Sequence, residues 1–441
     1  MADRSWLCYA GVEVSNACRS ITYAKAGLKP HTTSVGNCCC GDLAAMLGDA
    51  PYTLPGADEA PWVDPAEPDS LDFAGLLVTD IDGLDSAPVE RPVTQRITDG
   101  AVIGRRRYGP RTIVVTGVLL GKTSCATDYG LRWLSSVLQG SMGCGSGSCG
   151  GDDLQYMTCC PTTTGTTGCC PGPCTAQTCA QGVFRTLKDV ALVEGPTVLQ
   201  RIGGGCGCCP ATALQVQFTL VAGRPHALRA PVTIAEAVTW PPPSDTDDCV
   251  EWSTDPGCMD EYGECAAKQP QPCPLDPNCP PPVVPDLPLP STECQCEPWE
   301  RREVCVTVPP ATAPIWADMV PILELYAGGD ILRSVRVRFY PNPTNVPPDE
   351  LDVCSWCSEV NISYLPEYAH LVLDGTRRRA IVQCPGRAET PAAEIVSGPD
   401  GRPFTWPVLE CGIPYTVCVS ADSTTIAEDA SVTLRTVVRE T

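Results

Sequence analysis

Cysteine is the residue type in this chain with the greatest capacity for chemistry. The sequence contains 30 cysteines in 441 residues. This density in a long chain is typical of a protein held by disulfides in an oxidising environment, or of one that binds several metal ions. We expect most cysteines to form disulfides, with structural zinc and free thiols as open alternatives. The disulfide candidates with the most suggestive spacing are Cys144, Cys149, Cys206, Cys208, Cys209, Cys294, Cys296, Cys354 and Cys357.

Zinc has only a weak signal among these cysteines. Structural zinc sites commonly combine two close cysteine pairs separated by roughly 12–20 residues. The Cys354–Cys357 pair has no such partner, since the next cysteine along the chain is Cys384. A redox role for the pair is also disfavoured, because Pro347 and Pro348 precede it where a helix N-terminus would have to lower the thiol pKa. We therefore predict no metal site.

Other residues that support catalysis form no recognisable set. The three histidines, His31, His226 and His370, have no motif around them. Gly117 and Gly121 precede Lys122 and Thr123 but stand too close together for a phosphate-binding loop. We predict a protein that is not an enzyme, with no catalytic residues and no cofactor.

The charge balance disfavours two classes of partner. The chain has 30 basic and 52 acidic residues, which gives a net charge of −22. Such a surface repels the phosphate backbone of nucleic acids and the headgroups of anionic membranes. We therefore predict no direct binding of nucleic acid and no membrane partner.

The first residues lack the features of an export signal. The segment MADRSWLCYAGVEVSN places acidic, basic and polar groups where a secretion signal has its apolar stretch. The apolar run around Ile113–Leu120 is interrupted by Thr116 and Gly117, and is much shorter than a membrane span. We expect a chain that folds in a cytoplasm yet is suited to oxidising surroundings. A component of a particle that is released by lysis meets both conditions.

The elements that must position these residues are mostly strands. The apolar run at 111–121 predicts a buried strand. A helix is predicted over 125–139, with Thr123 or Ser124 as its N-cap and Gly140 just after its end. Strict alternation over 212–223 predicts a strand of an antiparallel sheet.

Turn signals predict two hairpins. Phe184–Ile202 is predicted to turn at Glu194-Gly195-Pro196. The second hairpin is predicted to turn at Asp374-Gly375. Two arginine triplets, Arg105–Arg107 and Arg377–Arg379, are expected to be solvated strand ends or to meet acidic patches on neighbouring copies.

Composition divides the chain into three parts. Proline and cysteine are dense over 241–300, and such a segment cannot form a central strand or helix. Short strands at regular spacing resume near residue 303 and predict a β-sandwich. We predict a β-rich N-terminal domain with one helix over 1–235, a Pro/Cys-rich connector over 236–302 and a C-terminal sandwich over 303–441.

A family resemblance appears in residues 93–138. This stretch has Asp99-Gly100 at a strand end, Tyr108 and Arg111 before an apolar strand, a glycine-containing turn, and a helix that ends in leucines. It resembles the N-terminal domain of siphophage distal tail proteins, which are minor tail proteins at the tail tip.

Two further stretches carry the same resemblance. Ala60–Pro65, in a cysteine-rich chain, resembles minor tail proteins of phages that infect actinobacteria. The C-terminal part resembles the galectin-like sandwich that follows in distal tail proteins. The residues that carry this likeness are Val335–Tyr340, Ile362–Pro366, His370–Gly375 and Ala430–Arg439.

The resemblance implies a structural role in the virion. Distal tail proteins form a ring, typically of six copies, that joins the tail tube to the tip complex and supports receptor-binding proteins. The implied partners are further copies of the chain, the tail tube protein, and the hub and receptor-binding proteins of the tip. As an alternative, the C-terminal sandwich binds a saccharide of the host envelope, because exposed aromatic rings stack on sugars. The candidate aromatic residues are Trp356, Tyr364, Tyr368 and Trp406.

Overall fold

The computed structural model describes most of the chain outside the cysteine- and proline-rich segments. The described residues are 3–28, 40, 43–141, 151–160, 182–203, 213–242, 249–251, 296–298, 301–310, 316–352, 355–422 and 426–440. The connector predicted over 236–302 lies mostly outside them. Within it, Cys249–Glu251 and Cys296–Pro298 pair as two antiparallel strands.

Strands dominate the described residues, and the mainly β class predicted from the sequence is confirmed. The strands before the connector are β1 Asp3–Tyr9, β2 Val12–Asn16, β3 Phe73–Asp82, β4 Val89–Glu90, β5 Val93–Gln95, β6 Ala101–Ile103, β7 Arg107–Tyr108, β8 Arg111–Gly121, β9 Asp152–Met157, β10 Phe184–Ile202, β11 Ala213–Ala222, β12 Ala227–Leu228 and β13 Val232–Thr239. The later strands are β14 Cys249–Glu251, β15 Cys296–Pro298, β16 Arg301–Val308, β17 Asp318–Tyr326, β18 Leu332–Pro341, β19 Ser358–Leu365, β20 His370–Asp374, β21 Arg379–Gln383, β22 Thr390–Pro391, β23 Val396–Ser397, β24 Leu409–Glu410, β25 Tyr415–Asp422 and β26 Ser431–Glu440. The α-helices are α1 Ala17–Lys25, α2 Leu43–Leu47 and α3 Ser124–Val137.

The N-terminal core lies between sheets that share strand β10. On one side, β3, β8, β11 and β10 pair in that order, and all pairs are antiparallel. The first half of β10 also pairs with β9, which continues the sheet through β1 to β2. Alternate residues of β11 enter the core as the sequence predicted, and Leu214, Val216, Phe218 and Leu220 are all buried.

Helix α3 covers this core and begins where the sequence predicted. The Thr123 hydroxyl oxygen accepts a hydrogen bond from the Ala126 amide at 3.1 Å, which satisfies one of the free N–H groups of the first turn. Leu134 and Leu138 are fully buried on its inner face, and Gly140 has a φ of +71° just after its end. Helices α1 and α2 were not predicted, because both are too short to show a clear apolar stripe.

At Gly130 the backbone of α3 lies close to the Phe73 side chain of β3. A Cβ atom there would lie 2.2 Å from the Phe73 ring. Ala normally stabilises a helix relative to Gly, but overpacking a core costs about 1–3 kcal/mol. We therefore expect Gly130→Ala to lower the free energy of unfolding by about 1–2 kcal/mol, as measured by denaturant titration. Ser136→Ala, on the exposed face of α3, is the matched control and should change it by less than about 0.5 kcal/mol; a stabilising Gly130→Ala would contradict the packing.

The hairpin predicted over Phe184–Ile202 is wrong, because these residues form the single strand β10. Strand β11 pairs with β10 on both sides of Glu194-Gly195-Pro196, and the register shifts between Leu192 and Thr197. The glycine and proline lie in a β-bulge of β10, where the missing proline N–H breaks no regular ladder hydrogen bond. The sequence therefore marked a bulge and not a turn.

The C-terminal core lies between a separate five-stranded antiparallel sheet and the C-terminal part of the sheet that contains β10, as predicted for a sandwich. One contains β16, β25, β18, β19 and β23 in order. The other places β17 between β26 and β20, and continues through β21 to β22. Side chains from both sheets share one apolar core, including Val337, Val419, Leu323 and Leu434. Strand β13 pairs with β26, so residues 232–239 pack on this core.

Candidate functional site

A long hairpin between β3 and β8 projects from the N-terminal core. Strand β4 pairs with β7 and β5 pairs with β6, so residues 89–108 form one ladder in two steps. The tip closes where the Arg96 amide donates to the Gly100 carbonyl at 3.0 Å. We call residues 89–108 the arm.

The arm leaves several large apolar side chains exposed to solvent. Val93 is 63% exposed, Ile103 is 64% exposed, and Ile97 at the tip is fully exposed. An isolated two-stranded hairpin is marginally stable, and clustered exposed apolar groups usually mark a contact surface. The arm also carries five arginines against two acidic residues, in a chain whose net charge is −22. The arm is therefore complementary in charge and polarity to a partner surface that is acidic and partly apolar.

A second unpartnered surface is the outer half of β10. From Val190 onward, one edge of β10 pairs with β11. On the other edge, where β9 pairs with the first part of the strand, residues 191–202 have no strand partner in the described part of the chain. Val193 and Leu199 on this segment are 63% and 52% exposed. An open edge of this kind accepts a further strand.

The arginine triplet Arg377–Arg379 joins the two cores. Arg377 forms ion pairs with Asp153 of β9 and, at 3.8 Å, with Asp189 of β10. Arg379 also lies 3.8 Å from Asp189. Two of the three arginines therefore bind acidic residues of their own chain, where solvated strand ends or contacts with neighbouring copies were expected. The other triplet, Arg105–Arg107, is exposed on the arm.

Glu440 is a second link between the cores. Its carboxylate accepts hydrogen bonds from Arg185 at 2.7 and 3.1 Å and from Arg229 at 2.7 Å. The side chains of Arg185 and Glu440 are only 7% and 20% exposed. Burial alone would raise the pKa of Glu440, but the hydrogen bonds and charges of Arg185 and Arg229 lower it below its usual range. The pairing of β12 with both β10 and β26 makes the N-terminal sheet continuous with one sheet of the C-terminal sandwich, and Glu440 lies in this junction opposite Ala227.

The residues of the family resemblance lie at the tip and at the base of the arm. Asp99 and Gly100 are at its exposed tip. Tyr108 ends β7, and its ring meets His226 edge-on at 4.7 Å. Arg111 is fully buried at the start of β8 and donates to the Leu84 carbonyl at 3.1 Å.

The aromatic candidates for saccharide binding differ in exposure. Tyr364 and Tyr368 are 49% and 51% exposed on the C-terminal sandwich. Trp356 is half-buried. Trp406 is half-buried too, and it packs on Phe404 at 4.4 Å and on the C-terminal core. The two tyrosines are therefore the ones available to a sugar ring.

Two disulfides join distant parts of the described chain, Cys40–Cys160 and Cys305–Cys418. Neither pair was among the nine candidates. Cys357 was expected to form a disulfide but is a free thiol. Its Sγ donates a hydrogen bond to the Phe339 carbonyl at 3.2 Å. Cys296 lies in β15. The other candidates lie outside the described residues, and their pairing stays a prediction: Cys144, Cys149, Cys206, Cys208, Cys209, Cys294 and Cys354.

Metal ligands come together at one place in the described part of the chain. Glu303, Cys305 and Cys418 are close enough to share an ion, but both cysteines are used in their disulfide. None of the helices in that part of the chain is both long and apolar enough to cross a membrane. His370 stacks on Tyr326 at 4.6 Å, and His31 lies outside the described residues.

Solved structures of phage proteins align with this chain. The SPP1 Dit protein, whose crystal structure is described as a paradigm of the hub adsorption apparatus in phages that infect Gram-positive bacteria, aligns with a TM-score of 0.36 and 10% identity, over 83% of this chain and 93% of that chain. The phage p2 baseplate, in its activated conformation with Sr, aligns with a TM-score of 0.34 and 9% identity, over 82% of this chain and 90% of that chain. No protein-family model matches the sequence. No curated protein matches it either.

Sequence reasoning missed the disulfide of the C-terminal sandwich, although a signal was present. Cys305 stands in an alternating segment of β16, and Cys418 stands in the apolar strand β25. The two residues are directly opposite each other in the ladder. A search for cysteines inside strand patterns, instead of closely spaced cysteines, would have made both of them candidates.

Proposed function

We propose that this chain is a structural virion protein of a phage tail tip, related to the minor tail proteins of phages that infect actinobacteria. It forms a ring, of six copies in our proposal, that joins the tail tube to the tip complex and supports receptor-binding components. Its place is the tail tip of the virion, assembled in the host cytoplasm and released by lysis. It has no catalytic role, and it binds neither membrane nor nucleic acid.

The exposure of the arm is the observation that carries this proposal. It is formed by the first part of the stretch, residues 93–138, whose sequence resembles siphophage distal tail proteins. Its exposed apolar and basic side chains are typical of a surface that binds another protein. The open edge of β10 lies on the same N-terminal core. When one surface of a subunit binds a different surface of the next, copies close into a ring if the rotation permits. The arm and the β10 edge are two such surfaces.

The parts of the chain take different roles in this proposal. Residues 1–235 build the ring, apart from β13 at their end, which pairs with β26 and packs on the sandwich core. Residues 236–302 connect the two parts, and the sandwich of 303–441 faces the periphery, where it contacts hub or receptor-binding proteins. The ion pairs of Arg377 and Glu440 support a fixed orientation of the sandwich on its ring subunit.

Electron microscopy and native mass spectrometry of the purified full-length protein test the proposal. We expect ring-shaped particles and a mass of six chains at micromolar concentration. A closed ring with another number of copies would correct the copy number alone. A protein that stays monomeric at every concentration up to that of a crystallisation experiment would refute the ring.

A saccharide-binding role of the C-terminal sandwich is the second candidate, and the exposure of Tyr364 and Tyr368 favours it. Tyrosine offers a sugar both an apolar ring face and a polar hydroxyl. Binding of the full-length protein to an array of bacterial envelope glycans tests it. We expect Tyr364→Ala with Tyr368→Ala to abolish binding, and Trp316→Ala, at a tryptophan that is 71% exposed, to leave it unchanged. A silent array would reject this role.

A further inference from the structure

A cavity of about 240 Å³ opens where the two cores meet. From the N-terminal side it is lined by Tyr108, Arg224 and His226. From the C-terminal side it is lined by Arg378, in the turn between β20 and β21, and by Arg439 of β26. Three arginines and a histidine thus face a space that is large enough for a small polar group.

The cavity has an excess of positive charge. Arg224 is paired with Asp189 at 3.1 Å, and Arg439 with Asp318 at 2.8 Å. No ion pair of Arg378 is found among the residues that the structure describes, and Arg378 also lines the cavity. A concentration of positive charge of this kind in a chain of net charge −22 attracts an anion.

Two polar atoms at the cavity are buried without a hydrogen-bond partner in the described part of the chain. They are Nδ1 of His226 and Nε of Arg439. An unsatisfied buried polar atom is unfavourable, so such atoms commonly mark the place of a ligand or bound ion. Burial, together with the charges of Arg439, Arg111 and Arg378, lowers the pKa of His226 to about 4. The histidine is therefore neutral at pH 7, and nearby negative charge would raise its pKa.

The backbone at Arg378 is also unusual. Its φ is +52°, in the left-handed region that Gly and Asn adopt most readily. A non-glycine residue in that conformation costs free energy, and such strain concentrates at binding sites. At this turn the chain carries a strained arginine in place of the glycine or asparagine that the geometry favours.

We propose that this cavity binds a small oxyanion, namely phosphate or a phosphate monoester. Planar guanidinium groups match the oxygens of a phosphate group. Three arginines line this cavity together with His226, whose Nδ1 has no hydrogen-bond partner among the described residues. The site goes beyond the proposed function and does not depend on ring formation. The phosphate group comes either from the free ion or from a phosphorylated sugar or polyol.

Isothermal titration of the full-length protein with inorganic phosphate, and separately with glycerol 3-phosphate, tests the proposal at pH 7 and low ionic strength. We expect saturable binding, and affinity at least roughly tenfold weaker in Arg378→Asn, since a hydrogen-bonded charge is lost. Tighter binding of the ester would identify a phosphorylated organic ligand, and equal or weaker binding the free ion. The matched control Arg387→Asn removes an exposed arginine that does not line the cavity, and should bind as the wild type does.

Two further measurements separate binding from folding. Without phosphate, Arg378→Asn should unfold at the same or a higher temperature than the wild type, since Asn accepts the left-handed backbone. The His226 imidazole, followed by NMR, should titrate at higher pH when phosphate is bound. Absence of saturable binding by the wild type, or equal weakening in Arg378→Asn and Arg387→Asn, would overturn the proposal.

Discussion

Replacing Val93, Ile97 and Ile103 by serine should leave the protein monomeric under conditions in which the wild type forms the proposed ring. The three side chains are largely exposed on the arm, so the change removes little burial within the subunit beyond the cross-strand pair of Val93 and Ile103. If each is buried against a neighbouring copy, its loss costs about 1.5–3 kcal/mol per contact. The sum of roughly 5 kcal/mol or more at each interface weakens association by at least about three orders of magnitude. Native mass spectrometry and electron microscopy read the result directly.

The matched control is a triple serine variant at exposed apolar residues outside the arm. Leu54, Leu71 and Val408 are 48%, 49% and 38% exposed and serve this purpose. We expect that control to form rings, and both triple variants to keep the thermal stability of an isolated wild-type subunit. Rings of normal yield from the arm variant would show that the arm is not the contact between copies.

Glu440→Ala should lower the free energy of unfolding by about 3–5 kcal/mol. The substitution removes the only carboxylate that both Arg185 and Arg229 contact in the described part of the chain, and leaves the 7%-exposed Arg185 without its counter-charge. Breaking a buried ion pair from one side is much more costly than replacing the whole pair. Denaturant titration measures the change, and Glu428→Ala, at an exposed glutamate, should shift it by less than about 0.5 kcal/mol. A loss of similar size in both variants would contradict the role of Glu440.

The lowered pKa of Glu440 predicts that the protein loses stability at acid pH. The pKa of Glu440 in the folded state lies below its ordinary value of 4.5, because its two arginine partners outweigh the effect of burial. Its contribution is therefore complete above the unfolded-state pKa, and is lost as pH falls through the folded-state value. We expect the free energy of unfolding to fall more steeply below pH 4.5 in the wild type than in Glu440→Gln. Parallel curves for the two proteins would contradict this linkage.

Local patterns predicted the class of the fold and several of its elements correctly. The alternation in β11, the Thr123 cap of α3 and the turn after Asp374 are each encoded within about a dozen residues. Apolar period, capping and turn chemistry act over such distances, so the residues alone are enough to identify them. The same locality explains the error at Gly195-Pro196, where β11 holds β10 as one strand through a sequence that usually turns.

Partners far apart in the chain depended on strand pairing that no local pattern specifies. Cys305 and Cys418, 113 residues apart, meet because β16 and β25 are in register. Arg377 and Arg379 find Asp153 and Asp189 because the turn between β20 and β21 lies against β9 and β10. The cavity beside Arg378 exists for the same reason, since neither core forms its wall alone.

The arm depends both on its local sequence and on strand pairing elsewhere in the chain. Its mixture of apolar residues and arginines, and its turn at Gly100, are properties of residues 89–108 themselves. That these side chains stay in water follows from the direct pairing of β3 with β8, which leaves the intervening hairpin outside the core. Exposure depends on what the rest of the chain covers, and for that reason the apolar surface of the arm could be recognised only in the folded protein.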